Sequence, residues 1–136
     1  MSKVHMLQMT RNQDVAACLY RFLEDKQWAG VVILGGIGSV SSMTVANPVT
    51  HDSPPRIAIN RLDEPLEVLA FTGELFAKGA QPDNMPDFAS DNPSNFVIHI
   101  HVAVSHGDGS VTGGGFRNAT VMRGLNLYMM ELALPF

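Results

Sequence analysis

The chain has a single cysteine, Cys18, so no disulfide can form within it. It also lacks any cluster of cations. Nine Lys and Arg residues are scattered so that no two are adjacent, and thirteen acidic residues bring the net charge to −4. A module that grips nucleic acid through its phosphates needs Lys and Arg gathered together. Direct DNA binding by this chain alone is therefore disfavoured, unless folding or assembly collects a local patch. No apolar run approaches the roughly 20 residues of a membrane helix. The start, "MSKVHMLQM", has neither a long apolar segment nor a cleavage site. The expected setting is cytoplasmic, with no membrane partner, and there the acceptor pattern at Asn118 has no meaning. What is present suits a globular protein: 46% of residues are hydrophobic and 16% charged. The length, 136 residues, fits one domain spanning 1–136 with a core of its own.

Residues 3–9 read as a short strand. Asn12 is placed to cap a helix, with Asp14 in the first turn where a negative charge suits the dipole. In "DVAACLYRFLEDKQW", Val15, Cys18, Leu19, Phe22 and Leu23 fall at helical spacing, and Arg21, Asp25 and Lys26 mark the opposite face. Cys18 reads as core, because no basic group stands beside it in sequence to stabilise a thiolate. "AGVVILGG" is a buried strand. The following "GGIGS" invites a dinucleotide-binding reading, but that fingerprint needs a helix to open at once. "SVSSMTVANP" has no helical stripe, so a tight turn between strands is expected. "NPVTHDSPP" is turn-rich, and "RIAIN" is a short strand. "LEVLAFTGELFA" is a longer strand, expected to bend near Gly73. The Pro-rich stretch from 78 to 95 is an irregular excursion, and its carboxylates fit no calcium-loop spacing.

The strongest strand signal is "FVIHIHVAV" at 96–104. Alternation puts His99, His101 and Val97 on one face and Ile98, Ile100 and Val102 on the other. "SHGDGS" is a hairpin turn, and "VTGGGF" returns antiparallel. Gly113, Gly114 and Gly115 weaken that strand, which is tolerated where a backbone or a ligand comes close. His106 and Asp108 with Ser105 or Ser110 imitate a hydrolytic triad, but the turn accounts for them. The last stretch, "ATVMRGLNLYMMELALPF", fits both a helix (Leu125, Tyr128, Met129, Leu132) and a strand (Arg123, Leu125, Leu127, Met129, Glu131).

Four segments in order, "AGVVILGGIGSVSSMTV", "LEVLAFTGEL", "FVIHIHVAVSHGDGSVTGGGF" and "ATVMRGLNLYMMEL", resemble the PPC domain, the plants and prokaryotes conserved module. The match extends over nearly the whole chain, including "RNQDVAACLYRFLEDKQW". The resemblance implies an α/β fold of the α+β type: a largely antiparallel β-sheet with flanking helices, assembled as a homotrimer. It favours a strand in much of the C-terminal stretch. Plant members usually carry an Arg-Gly-Arg-Pro AT-hook that enters the minor groove, and stand-alone prokaryotic members are commonly labelled DNA-binding by analogy. This sequence has no such element. Many prokaryotic relatives also carry "GGH" where this chain has "GGG", so Gly115 stands in the place of a histidine.

Three readings of His99 and His101 follow. They are structural, bonded to backbone or carboxylates. Or they line a cleft between protomers that binds a small molecule or anion, with Arg61 or Arg123 and with space left by Gly113, Gly114 and Gly115. Or they hold a divalent metal, and His5, His51 or another subunit supplies the donor missing at Gly115. No complete catalytic constellation is visible and no cofactor is expected beyond that metal. The preferred function is a homotrimeric binding or regulatory module that binds a partner protein or takes part in transcriptional control, its link to DNA being what the resemblance implies. The alternative is a small-molecule or metal-dependent protein or enzyme with its site at the subunit boundary.

Overall fold

The computed structural model describes residues 3–85 and 94–134. The part of the excursion at 86–93, with Asp87 and Asp91, lies outside them. The elements run β1 (His5–Thr10), α1 (Val15–Lys26), β2 (Gly30–Pro48), β3 (Ile57–Leu62), β4 (Leu66–Ala77), β5 (Phe96–Ser105) and β6 (Val111–Glu131). All six strands belong to one antiparallel sheet in the order β1-β6-β5-β4-β2-β3. An added pairing of β6 with β2 turns β4, β2, β6 and β5 into a closed hydrogen-bonded ring. Strands β1 and β3 extend it as edges.

Closure explains the core. Every ring strand turns alternate side chains inward, and Val31, Ile33, Val40, Phe71, Leu75, Val102, Val104, Val121, Leu125, Leu127 and Met129 are buried there. Each such side chain contributes about 1.5–3 kcal/mol relative to exposure. Helix α1 lies against β6 and β1. Val15, Leu19 and Leu23 are its buried stripe, with Cys18 and Phe22 packed at the margin of the core. This matches the expected periodicity. The cap differs from expectation: Asp14 is the N-cap, its Oδ1 accepting from the Ala17 N–H at 2.9 Å. Asn12 is in the left-handed region at φ 69° and turns the chain before the cap. A partner distant in sequence reinforces the start. Asn118 Oδ1 accepts from the Ala16 N–H at 3.1 Å, and its Nδ2 donates to Asp14 Oδ2 at 2.8 Å.

The tight turn expected at "GGIGS" does not exist. Strand β2 runs unbroken for 19 residues through these glycines. They reflect closeness to other strands. Gly38 sits at φ 150°, and a Cβ there would lie 2.1 Å from the Gly124 carbonyl oxygen on β6. Register shifts at Ile33/Gly35, Gly38/Val40, Val40/Ser42 and Thr44/Val45 curve β2 against β6, as bulges do. In β4 the irregularity falls between Val68 and Ala70, not at Gly73. The C-terminal stretch is strand, as the resemblance implied: β6 spans 21 residues because β2 pairs along one edge while β5 and then β1 pair along the other. Among the described residues no helix is long and apolar enough to cross a membrane.

Candidate functional site

Strand parity puts the two imidazoles outward. Ile100, Val102 and Val104 fill the core, while His99 and His101 are exposed on the outer face. Val97 shares that parity but is covered, packed with Phe76 and Met85 in a second small cluster. The rings of His99 and His101 lie 4.8 Å apart, perpendicular at 89°.

Register supplies their neighbours, since directly paired residues share a face at Cβ separations of about 4.5–5.5 Å. His99 pairs with Glu74, which pairs with Val32 on β2. His101 pairs with Thr72 on one side and Gly115 on the other. Gly115 in turn pairs with Ala46, and Ala46 with Ile59 on β3. The result is an open depression of about 360 Å³ lined by Val32, Ile33, Thr72, Gly73, Glu74, His99 and His101. Glu74 and Thr72 were not singled out in the sequence. Alternation within "LEVLAFTGELFA" puts both on one face, but only the β4–β5 register sets them beside the histidines.

The other candidates are placed elsewhere. Arg61 on β3 is exposed and its Nε meets Asp63 Oδ2 at 3.2 Å. Arg123 on β6 is exposed, and its backbone N–H donates to Ser39 Oγ at 3.3 Å. Neither lines the depression. The returning glycines do not leave a cavity. A Cβ on Gly113 would lie 2.7 Å from the Val102 carbonyl oxygen. Gly114, at φ 153°, is covered by the Asn47 amide, whose Nδ2 donates to the Gly113 carbonyl at 3.1 Å. Of the three, Gly115 is the one paired with His101, and a Cβ there would stand 3.0 Å from the Ala46 carbonyl oxygen.

The described residues of one chain do not complete a metal site. Among the described residues no group of three His, Cys, Asp or Glu side chains is gathered to hold an ion. His5 packs edge-on against Trp28, and His51 is exposed in the 49–56 connection. The apparent triad of the hairpin is also not assembled as the sequence suggested. Asp108 accepts from Ser110 Oγ at 2.6 Å and from the Ser110 N–H at 2.9 Å, which hold its carboxyl below its ordinary value. His106 instead bridges Glu64, 2.5 Å from Nδ1, and Thr112, 2.7 Å from Nε2, clamping the hairpin tip to the β3–β4 turn.

The outer face carries a further feature. Leu34, Ile37 and Leu69 are 48%, 69% and 55% exposed. They line a second open depression of about 410 Å³ that shares Thr72 with the first. Uncovered apolar surface is the kind that interaction sites use.

The family model for the Plants and Prokaryotes Conserved (PCC) domain matches residues 1–133. No curated protein matches the chain. Among solved structures, a metal-containing protein from Archaeoglobus fulgidus is 25% identical, with a TM-score of 0.74, covering 96% of this chain and 80% of its own. A plant- and prokaryote-conserved protein from Pyrococcus horikoshii is 14% identical, with a TM-score of 0.75, and the match covers 99% of this chain and 84% of that one. A protein from Bacteroides thetaiotaomicron, named provisionally for DNA binding, is 16% identical with a TM-score of 0.72 over 99% of this chain and 85% of its own. For the last two the likeness is one of fold alone.

Proposed function

Because the chain belongs to the Plants and Prokaryotes Conserved (PCC) domain family, we propose that it works as a homotrimeric binding module of the regulatory kind. Its connection to DNA runs through a partner protein. The observation that carries this reading is the outer face of β2 and β4. Leu34, Ile37 and Leu69 have no cover in one chain, and the cover proposed is a second copy of the chain. All nine cations are exposed, but they are spread over α1, β3, β6 and four connections or chain ends. Nothing in that distribution forms a track for phosphates. Light scattering on the natural chain should give a mass three times 14.7 kDa. Leu69→Asp should shift the species toward monomer, because a carboxylate cannot be buried there unpaired. A monomeric natural chain at micromolar concentration would refute the trimer. A titration at about 0.1 M salt with random and A/T-rich duplexes should show no saturable shift; a saturable, salt-sensitive shift would refute the partner-mediated form.

A second reading is favoured by the histidine pair. His99 and His101 adjoin the same uncovered surface, and assembly would enclose their depression and bring a neighbour's side chains to it. The depression then becomes a small-molecule or metal site at the subunit boundary. The metal-containing protein from Archaeoglobus fulgidus supports this. Protein purified without a histidine tag should carry zinc, iron or nickel approaching one ion per site under the metal form. A content under about a tenth of an equivalent per chain would remove that form. Loss of ligand-induced melting shifts in His99→Ala and His101→Ala would support the cleft form.

A further inference from the structure

A site of different chemistry lies away from the histidine pair, at the end of α1. The only tryptophan of the chain, Trp28, follows the helix by two residues. Phe22, one turn back, meets it edge-on with ring centroids 5.8 Å apart at 77°. His5 on β1 abuts the indole at 4.7 Å and 72°. The Lys26 ammonium stands over both rings of the corner, 5.5 Å from the Phe22 centroid and 5.8 Å from that of Trp28. Both distances fall within the roughly 6 Å reach of the ring quadrupole.

Phe22 and Trp28 are half-buried and packed against the main core. Their orientation is therefore set before any ligand arrives, which lowers the ordering cost of binding. Lys26 itself is exposed, and among the described residues it has no carboxylate partner. The rings are what the ammonium meets. We propose that this corner binds a small methylated ammonium ligand of the choline type, with Lys26 as a displaceable plug. A primary ammonium keeps its remaining protons in water and touches the rings with few atoms. A quaternary ammonium spreads its charge over methyl groups that fill a right-angled corner and lose little hydration. His5 acts as a positioning residue that holds the indole.

The test uses the natural chain at constant ionic strength. Choline and tetramethylammonium chloride are titrated against the neutral isostere 3,3-dimethylbutan-1-ol. Trp28 fluorescence reports the corner, and the Lys26 ε-methylene proton shifts report the plug. Ring current should place those protons upfield in the free protein. Saturating choline should return them to random-coil positions while the indole emission changes along the same curve. Lys26→Ala, an exposed change to the best helix former, should bind choline about two- to fivefold more tightly, because the competing cation is gone. The neutral isostere should bind more weakly than choline by at least about that factor. Equal binding of isostere and choline would overturn the proposal. So would Lys26→Ala binding no tighter than the natural chain, or the absence of any saturable response in that variant.

Discussion

Gly38→Ala tests the closure of the ring between β2 and β6. The added methyl meets two obstacles. Its position would be 2.1 Å from the Gly124 carbonyl oxygen and 2.7 Å from the Leu125 Cα, both backbone atoms that no rotamer change can move. Ordinary contact begins near 3.4 Å, so the strands must separate by more than 1 Å. The residue must also hold φ at 150°, where side chains are rarely found. Strained backbone costs about 1–3 kcal/mol, and each ladder hydrogen bond given up costs about 0.5–1.5 kcal/mol. The register pairs at risk are Gly38 with Leu125 and Ile37 with Asn126. Together these come to about 2–6 kcal/mol, a large part of the roughly 5–15 kcal/mol that holds a domain folded. Urea unfolding at fixed protein concentration, followed by far-ultraviolet circular dichroism, measures it. With a slope of about 2 kcal/mol per molar, the midpoint should fall by about 2 M. Two controls separate the causes. Gly79 is at φ 94° with no atom within 4 Å of a new Cβ, so Gly79→Ala should cost only about 1–2 kcal/mol. Gly107 has the same open space without the positive φ, so Gly107→Ala should stay within about 0.5 kcal/mol. If Gly38→Ala costs less than Gly79→Ala, the closed ring is wrong.

Three further outcomes follow from local chemistry. Asp14→Ala removes the helix cap and the Asn118 contact, and should lower stability by about 1 kcal/mol in the same urea assay. Asp108 has a folded-state pKa below its ordinary 3.8, chiefly because Ser110 bonds its carboxylate. Its contribution is therefore complete above that value and lost as pH falls through the lower folded one. Ser110→Ala should move the Asp108 midpoint upward in an NMR titration; an unchanged midpoint would refute the cause. Gly115→His should place a third imidazole directly opposite His101. Calorimetry with zinc should then show uptake tighter than in the natural chain, with a lower melting temperature in the metal-free state because the new Cβ crowds the Ala46 carbonyl.

Local pattern revealed α1, because Val15, Leu19 and Leu23 repeat at a period set by the helix itself. It also revealed β5 and its hairpin, where alternation and a short turn suffice. It failed at "GGIGS" because those glycines answer to strands distant in sequence: Gly38 pairs with Leu125 on β6 and with Val68 on β4. The C-terminal stretch was ambiguous for a related reason. Its apolar residues satisfy both periods, and only pairing with β2 and β1 decides. The shared face of His99 and His101 could be read from parity. The neighbours Glu74 and Thr72 could not, since they depend on register across β4. No room opens within the chain at Gly113 and Gly114, because the nearest atoms belong to Val102 and Asn47, both distant in sequence or on another strand. The His106 clamp was missed because its acid, Glu64, comes from 42 positions away.

A closed ring also limits where this chain can change length over evolution. Residues inserted within β2 or β6 would put two seams out of step at once, since each of these strands is stitched along both flanks. Additions are tolerated where a seam ends: before β1, in the link leading to β3, or in the connection between β4 and β5. New recognition elements added at those points would leave the barrel-like frame unchanged.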